Sequence, residues 1–269
     1  MADDALDELR RTAKRSAPDA YVTALLAPHD RQRDMIALAA FFGDVERIVT
    51  TLSDPNIAEI RLQWWRDAIQ SAPTGANTGH PGADALAHAI RTHALPFETF
   101  DALLDARALD LYADPLPNEA ALDAYLTKAD GAAFQLFAKC LGSANPASSP
   151  LIVYTARACG IARLIANMPV FLARGRAPFP GCDAANPVEL HSTLDVRRAQ
   201  ARDALNSARG IWRTSTQAER AACLSLALVG PYLKRSNNPG HDPARALTQV
   251  EPLTRMWRIW QAYALGRFT

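Results

Sequence analysis

Apolar residues recur at three- and four-residue steps along most of the chain. Leu38, Phe41 or Phe42, Val45, Ile48 or Val49 and Leu52 trace one such stripe, the period of a helix with one buried face. A second stripe runs through Ile57, Ile60, Trp64 and Ala68, and Asp54 and Pro55 just before it supply a cap and a first-turn residue. Two long helices therefore meet near Asp54. The pattern predicts further helices over residues 85–92, 98–111, 119–141, 151–171, 194–214, 219–233 and 252–266. Residues 71–84 (SAPTGANTGHPGAD) concentrate Gly, Pro, Asn and Thr and read as an exposed loop.

No useful run of period-two alternation lies between these segments, and Pro or Gly clusters at 142–150, 178–187 and 237–243 punctuate them. An all-α fold follows. No linker divides differently composed halves and no repeat has a fixed period, so a single domain over residues 1–269 is expected. The best apolar stretch, residues 221–233, contains Gly230 and Pro231 and falls short of the roughly 20 residues of a membrane span. It reads as a buried helix.

Composition narrows the function classes. With 49% hydrophobic and 21% charged residues and a formal net charge of +1, the chain carries no charge imbalance of the kind that binds nucleic acid. Cys140, Cys159, Cys182 and Cys223 are far apart and form no CxxC pair, which argues against a zinc ribbon and a disulfide framework and suits a reducing cytoplasm or organellar interior. The opening MADDALDELRRTAKR alternates acids and bases without an apolar core, so no secretory signal is expected.

Several clusters invite chemistry, each beside a plainer reading. In EIRLQWWRDAI (59–69) helical geometry is expected to turn Trp64 inward with Ile60 and to put Arg61 beside Trp65; the tryptophans serve as a core anchor with a flanking cation–π contact or as a pocket wall. Arg174 and Arg176 follow a long apolar helix, where they complete its C-terminus or bind phosphate. His88 and His93 are five apart, off the i, i+4 spacing of two ligands on one helix face, and read as solvent-exposed. His29, beside Pro28, reads as a helix-start residue. Arg197, Arg198 and Arg202 with Asp195 and Asp203 read as a solvated helix face. In residues 255–263 (RMWRIWQAY) bases interleave with aromatics; core packing with a basic outer face is the simplest reading, beside contact with a membrane surface or single-stranded nucleic acid. No GxSxG, Walker A or GxGxxG is present, which argues against hydrolase, P-loop and Rossmann readings.

Tyr21-x3-Leu25-Leu26-Ala27-Pro28, then EIRLQWWRDAI, then YLTKADGAAFQLFA (125–138), then ARGRAPFP (173–180) occur in an order that resembles squalene and phytoene synthases. The resemblance implies the all-α isoprenoid synthase fold, with helices around a central cavity that takes prenyl diphosphates. It also implies two DxxxD-type motifs, whose carboxylates one turn apart would hold magnesium against the departing diphosphate. Aligned on Ile48 and Val49, the first motif falls on Glu46 and Thr50, with Asp44 half a turn away. Counted back from ARGRAPFP, the second falls on Asn167 and Phe171, in a helix disturbed by Pro169.

At most one ligand survives at the first pair and none at the second. The pattern, with WWRDAI and the closing 265–268 (LGRF), resembles the family's non-catalytic branch, which includes a mitochondrial assembly factor for respiratory complex I. The expectation is a pseudoenzyme without cofactor that serves as a binding or assembly protein. It would take an isoprenoid or lipid ligand through Tyr21, Arg61, Trp64, Arg174 and Arg176, or a protein partner. No nucleic acid and no transmembrane segment are expected, and peripheral membrane contact is compatible. The rival expectation is a magnesium-dependent prenyltransferase using Glu46, Asp44 and further acids.

Overall fold

The computed structural model describes residues 2–75, 77–182, 186–266 and 268, and side chains in the first helix from Leu6 onward. Fourteen α-helices and no strand occur among them: α1 (Ala2–Ser16), α2 (Pro18–Leu25), α3 (His29–Thr51), α4 (Pro55–Ser71), α5 (Pro81–His93), α6 (Phe97–Ala108), α7 (Glu119–Leu126), α8 (Ala132–Cys140), α9 (Pro150–Ala166), α10 (Met168–Ala173), α11 (Pro187–Ile211), α12 (Gln217–Ala222), α13 (Val229–Ser236) and α14 (Pro252–Leu265). The chain forms two compact units by interleaved segments. Unit 1 takes Met1–Leu111, Ala132–Ser148 and Thr216–Ala222, and unit 2 takes the rest.

In unit 1, α3 is the central helix. Residues 34–41 are buried without interruption, as expected of a helix covered on every side, and α1, α2, α4, α5, α6 and α8 pack on it. Its apolar stripe supplies the core: the Phe41 ring meets Trp65 at 5.1 Å and Phe100 at 5.5 Å, and Phe42 meets Phe137 at 5.2 Å, edge-on arrangements that suit the ring quadrupoles. Gly43 lets α1 come close, since a Cβ there would stand 3.0 Å from that of Ser16.

The stripe expected in α4 is corrected. Ala58, Leu62, Trp65 and Ile69 point inward, while Ile57, Ile60 and Trp64 are exposed. Two i, i+3/i+4 stripes, each with a tryptophan, were available in this helix, and the one whose Trp65 meets Phe41 took the core. Asp54 caps α4 by accepting from the Asn56 N–H at 2.9 Å; of the loop expected over 71–84, residues 73–75 and 77–80 are exposed, whereas Ser71 ends α4, Ala72–Thr74 form a 3-10 turn and α5 already begins at Pro81.

Unit 2 is organised around the pairing of α9 with α11, with α7, α13 and α14 arranged about them. The helix predicted over 119–141 is interrupted at Thr127–Gly131 by a π-helical turn, and that predicted over 151–171 breaks at Asn167, two residues before Pro169. Helix α11 starts seven residues earlier than predicted because Pro187 opens it after the Asn186 cap; proline tolerates the first turn, where its missing N–H has no partner to lose.

Further expectations are overturned: the single helix expected over 219–233 is divided into α12, a 3-10 turn at Leu224–Leu228 and α13. Arg197 and Arg198 are buried, not solvated. In α14 the aromatics Trp257, Trp260 and Tyr263 face outward, and Arg255, Ile259 and Ala262 face inward. No helix among the described residues is long and apolar enough to cross a membrane.

Candidate functional site

Asp44, Glu46 and Thr50 all lie on α3 in unit 1. Arg107, in the last turn of α6, donates from Nη2 to Glu46 Oε2 at 2.7 Å, and its Nη1 stands 3.1 Å from Asp110 Oδ2. The Arg107 and Asp110 side chains are almost wholly buried and Glu46 is three-quarters so. A guanidinium therefore lies against the one acidic remnant of the expected motif. Asp44 is taken up one turn along by Arg47 at 3.0 Å. The Thr50 hydroxyl donates to the Glu46 carbonyl at 2.7 Å.

A hard divalent ion asks for several converging oxygens. Here one carboxylate is charge-neutralised by arginine, another is held by its own helix, and the threonine oxygen is turned to the backbone. Magnesium does not fit this donor set. Among the described residues no group of three or more His, Cys, Asp or Glu is arranged to hold a metal.

Asn167 and Phe171 lie in unit 2. Asn167 closes α9 and opens α10: its N–H donates to the Arg163 carbonyl at 3.0 Å and its carbonyl accepts from Val170 at 2.9 Å. Phe171 is buried, and the fully buried Arg176 guanidinium stands 5.6 Å from its ring centroid. Gly175 between the two arginines has a φ of 71°, which lets the chain turn back so that the Arg176 N–H reaches the Phe171 carbonyl at 3.0 Å. Arg174 occupies the C-cap position of α10, its backbone N–H reaching the Phe171 carbonyl at 3.0 Å.

The other expected ligand-binding positions lie elsewhere. Tyr21 is half-buried on α2, Arg61 is exposed on α4, and Trp64, 40% exposed, stands edge-on to Trp65 and His80, each at 5.1 Å. Arg267 of the closing segment is outside the described residues. Gly266 caps α14 in the left-handed conformation, and Phe268 meets Trp212 at 4.3 Å.

Three polar clusters escaped the sequence reading. In the first, Arg163 of α9 clamps Asp130 of the π-turn through two bonds of 2.9 Å and donates to the Tyr125 hydroxyl at 3.0 Å. Gly160 makes room for it, because a Cβ there would come within 2.6 Å of Asp130 Oδ2 and of Leu126 Cδ2. The segment carrying Asp130 was visible as a motif, but its partner lies 33 residues away.

In the second, Arg197 forms a fork with Glu119 at 2.6 and 2.7 Å and stacks over Phe179, a bidentate geometry suited to the guanidinium. This pairing holds the Glu119 carboxyl below its ordinary value. Arg198 bonds the Ser236 hydroxyl and carbonyl, and burial pulls its pKa down against the support of Asp195. In the third, His93 is largely buried with its Nε2 2.8 Å from Asp34 Oδ2; only His88 is exposed as expected. A lone carboxylate buried on α3 requires a partner, and His93 supplies it.

Residues 13–258 match the family model for squalene/phytoene synthase. Complex I assembly factor 6 of Mus musculus is 23% identical over 162 residues, 60% of this chain and 49% of that protein. The bifunctional protein CrtB/UppS of Streptomyces coelicolor is 26% identical over 72% of this chain and 34% of its own length. Presqualene diphosphate synthase of Rhodopseudomonas palustris is 26% identical over 60% and 57%. The chain thus spans about half the length, or less, of the first two.

Among solved structures, squalene synthase HpnC from Alicyclobacillus acidocaldarius aligns with a TM-score of 0.70 at 19% identity, over 88% of this chain and 96% of that one. A dehydrosqualene synthase solved in complex with ligand aligns with a TM-score of 0.71 at 12% identity, over 99% and 98%. These likenesses establish the isoprenoid synthase helical fold.

Proposed function

Because the chain belongs to the squalene/phytoene synthase family, we propose that it is a non-catalytic member, a binding or assembly protein built on the isoprenoid synthase fold. The observation that carries this reading is the Glu46–Arg107 pair. Ionisation of a prenyl diphosphate places negative charge on the leaving group, and a divalent ion held by carboxylates stabilises that charge. A fixed guanidinium against Glu46 removes the carboxylate from that work, and Thr50, Asn167 and Phe171 offer no anionic oxygen to replace it.

The similarity to complex I assembly factor 6 supports an assembly role toward a respiratory complex, in the cytoplasm or an organellar interior. The proposed small-molecule ligand is an isoprenoid or lipid chain, without metal.

The similarity to presqualene diphosphate synthase favours one second reading, a magnesium-dependent prenyltransferase. Incubation of the purified protein with farnesyl diphosphate and magnesium, followed by assay of released pyrophosphate, separates the two. No release above buffer is expected, while a bound prenyl chain raises the melting temperature. Metal-dependent release that disappears in Glu46→Gln would establish the enzyme instead.

A further inference from the structure

Arg107 holds two carboxylates that come from different elements of unit 1. Its Nη2 donates to Glu46 Oε2 on α3 at 2.7 Å, and its Nη1 stands 3.1 Å from Asp110 Oδ2 in the 3-10 turn Leu109–Leu111 that follows α6. The Asp110 side chain is 1% exposed, that of Arg107 5% and that of Glu46 25%. Two like charges gathered in so buried a place need a cation with them. Arginine suits the position, because its planar guanidinium stays charged and donates in two directions at once. Asp44, on the same helix as Glu46, is held separately by Arg47 at 3.0 Å.

We propose that Arg107 is a built-in counter-ion that closes a latent divalent-cation site, whose protein ligands are Glu46 and Asp110. The inference rests on the non-catalytic reading above and adds to it a carboxylate, Asp110, that lies outside both expected motifs. Charge favours it first: the two carboxylates together match a divalent ion, and the guanidinium supplies a single positive charge between them. The chemistry of the ion agrees, since magnesium is commonly held through one or two carboxylates with water completing its shell. Space and access follow from the geometry. Truncating Arg107 frees the volume its guanidinium fills between the two carboxylates, and Glu46, the most open of the three, marks the side from which a hydrated ion enters. With Arg107 in place, an approaching cation meets a fixed positive charge on both carboxylates and is repelled. The folded chain carries its own cation at this point and takes none from solution.

The test compares the full chain with Arg107→Ala, using magnesium in thermal melts and manganese binding followed by electron paramagnetic resonance. The melting temperature of the parent is expected to be unmoved by millimolar magnesium or by EDTA. Arg107→Ala is expected to melt lower and to regain about 2–5 °C when magnesium is added. It is also expected to bind manganese about tenfold more tightly than the parent, through Glu46 and Asp110. Adding Asp110→Asn to Arg107→Ala is expected to remove that gain. Should Arg107→Ala fail to fold, Arg107→Gln, which removes the charge and keeps most of the side chain's length, carries the comparison. Manganese affinity in the variant no higher than in the parent, or a gain that Asp110→Asn leaves intact, overturns the proposal. A failure confined to these measurements leaves the non-catalytic reading standing, whereas metal-dependent pyrophosphate release by the parent, scored in its own assay, overturns that reading instead.

Discussion

Arg107 shows what a single residue decides and what a sequence hides. Glu46 is legible as the lone acid in a degenerate motif, but the cation that claims it lies 61 positions on, and nothing in the local pattern of α6 marks Arg107 as buried. Removing it would take a buried guanidinium away from the Glu46 and Asp110 carboxylates. Arg107→Met is expected to lower the unfolding free energy by about 3–5 kcal/mol in a urea titration, and adding Glu46→Gln is expected to recover part of the loss. A loss within error of zero would show that the pair does not neutralise the remnant carboxylate. Cys140 behaves in the opposite sense, because burial, with Asp34 adding to it, pushes its thiol from 9.0 up to about 12. The folded state thus favours the neutral thiol; that contribution is complete below pH 9 and is lost as pH rises toward 12. Cys140→Ala is therefore expected to lose less stability than the parent between pH 8.5 and 10.5, read as the change in melting temperature.

At the scale of elements, the sequence placed most helices and missed the choices between equivalent alternatives. The α4 stripe slipped from Trp64 to Trp65 because neighbouring registers were both apolar, and α11 began early because Pro187 was read as a stop instead of a first-turn residue. The π-turn at Thr127–Gly131 was invisible: it is fixed by Asp130 reaching Arg163 on another helix. Gly160 allows that approach. Gly160→Ala would gain roughly 1 kcal/mol of helix propensity in α9, yet its methyl meets the buried Leu126 and the clamped Asp130, so a net loss of about 1–3 kcal/mol is expected, measurable by denaturant midpoint. Glu119 joins α7 to α11 through Arg197, and that pairing lowers its pKa. Its stabilisation is present above the unfolded value near 4.5 and fades as pH falls through the folded one. Glu119→Gln is expected to flatten the acid limb of a melting-temperature profile slightly, the carboxylate being half exposed and screened.

At the scale of the whole molecule, the helical class was legible because the 3.6-residue period runs nearly throughout, whereas the interleaving of the two units left no mark in composition. The chain passes between them at residues 111–112, 131–132, 148–149, 215–216 and 222–223. Neither unit is continuous, and unit 1 needs α8, whose Phe137 meets Phe42, although 20 residues of unit 2 intervene after Leu111. A segment cut at Leu111 would expose the Phe42 side of α3 and lose the apolar area that α8 covers. Burial of this kind is what offsets chain entropy. Residues 1–111 alone are accordingly expected to lack a cooperative thermal transition and to bind a hydrophobic dye. The full chain is expected to unfold in a single calorimetric peak with equal van't Hoff and calorimetric enthalpies. Two resolved peaks, or a cooperative melt of the isolated segment, would show instead that the interleaved segments fold as separate domains.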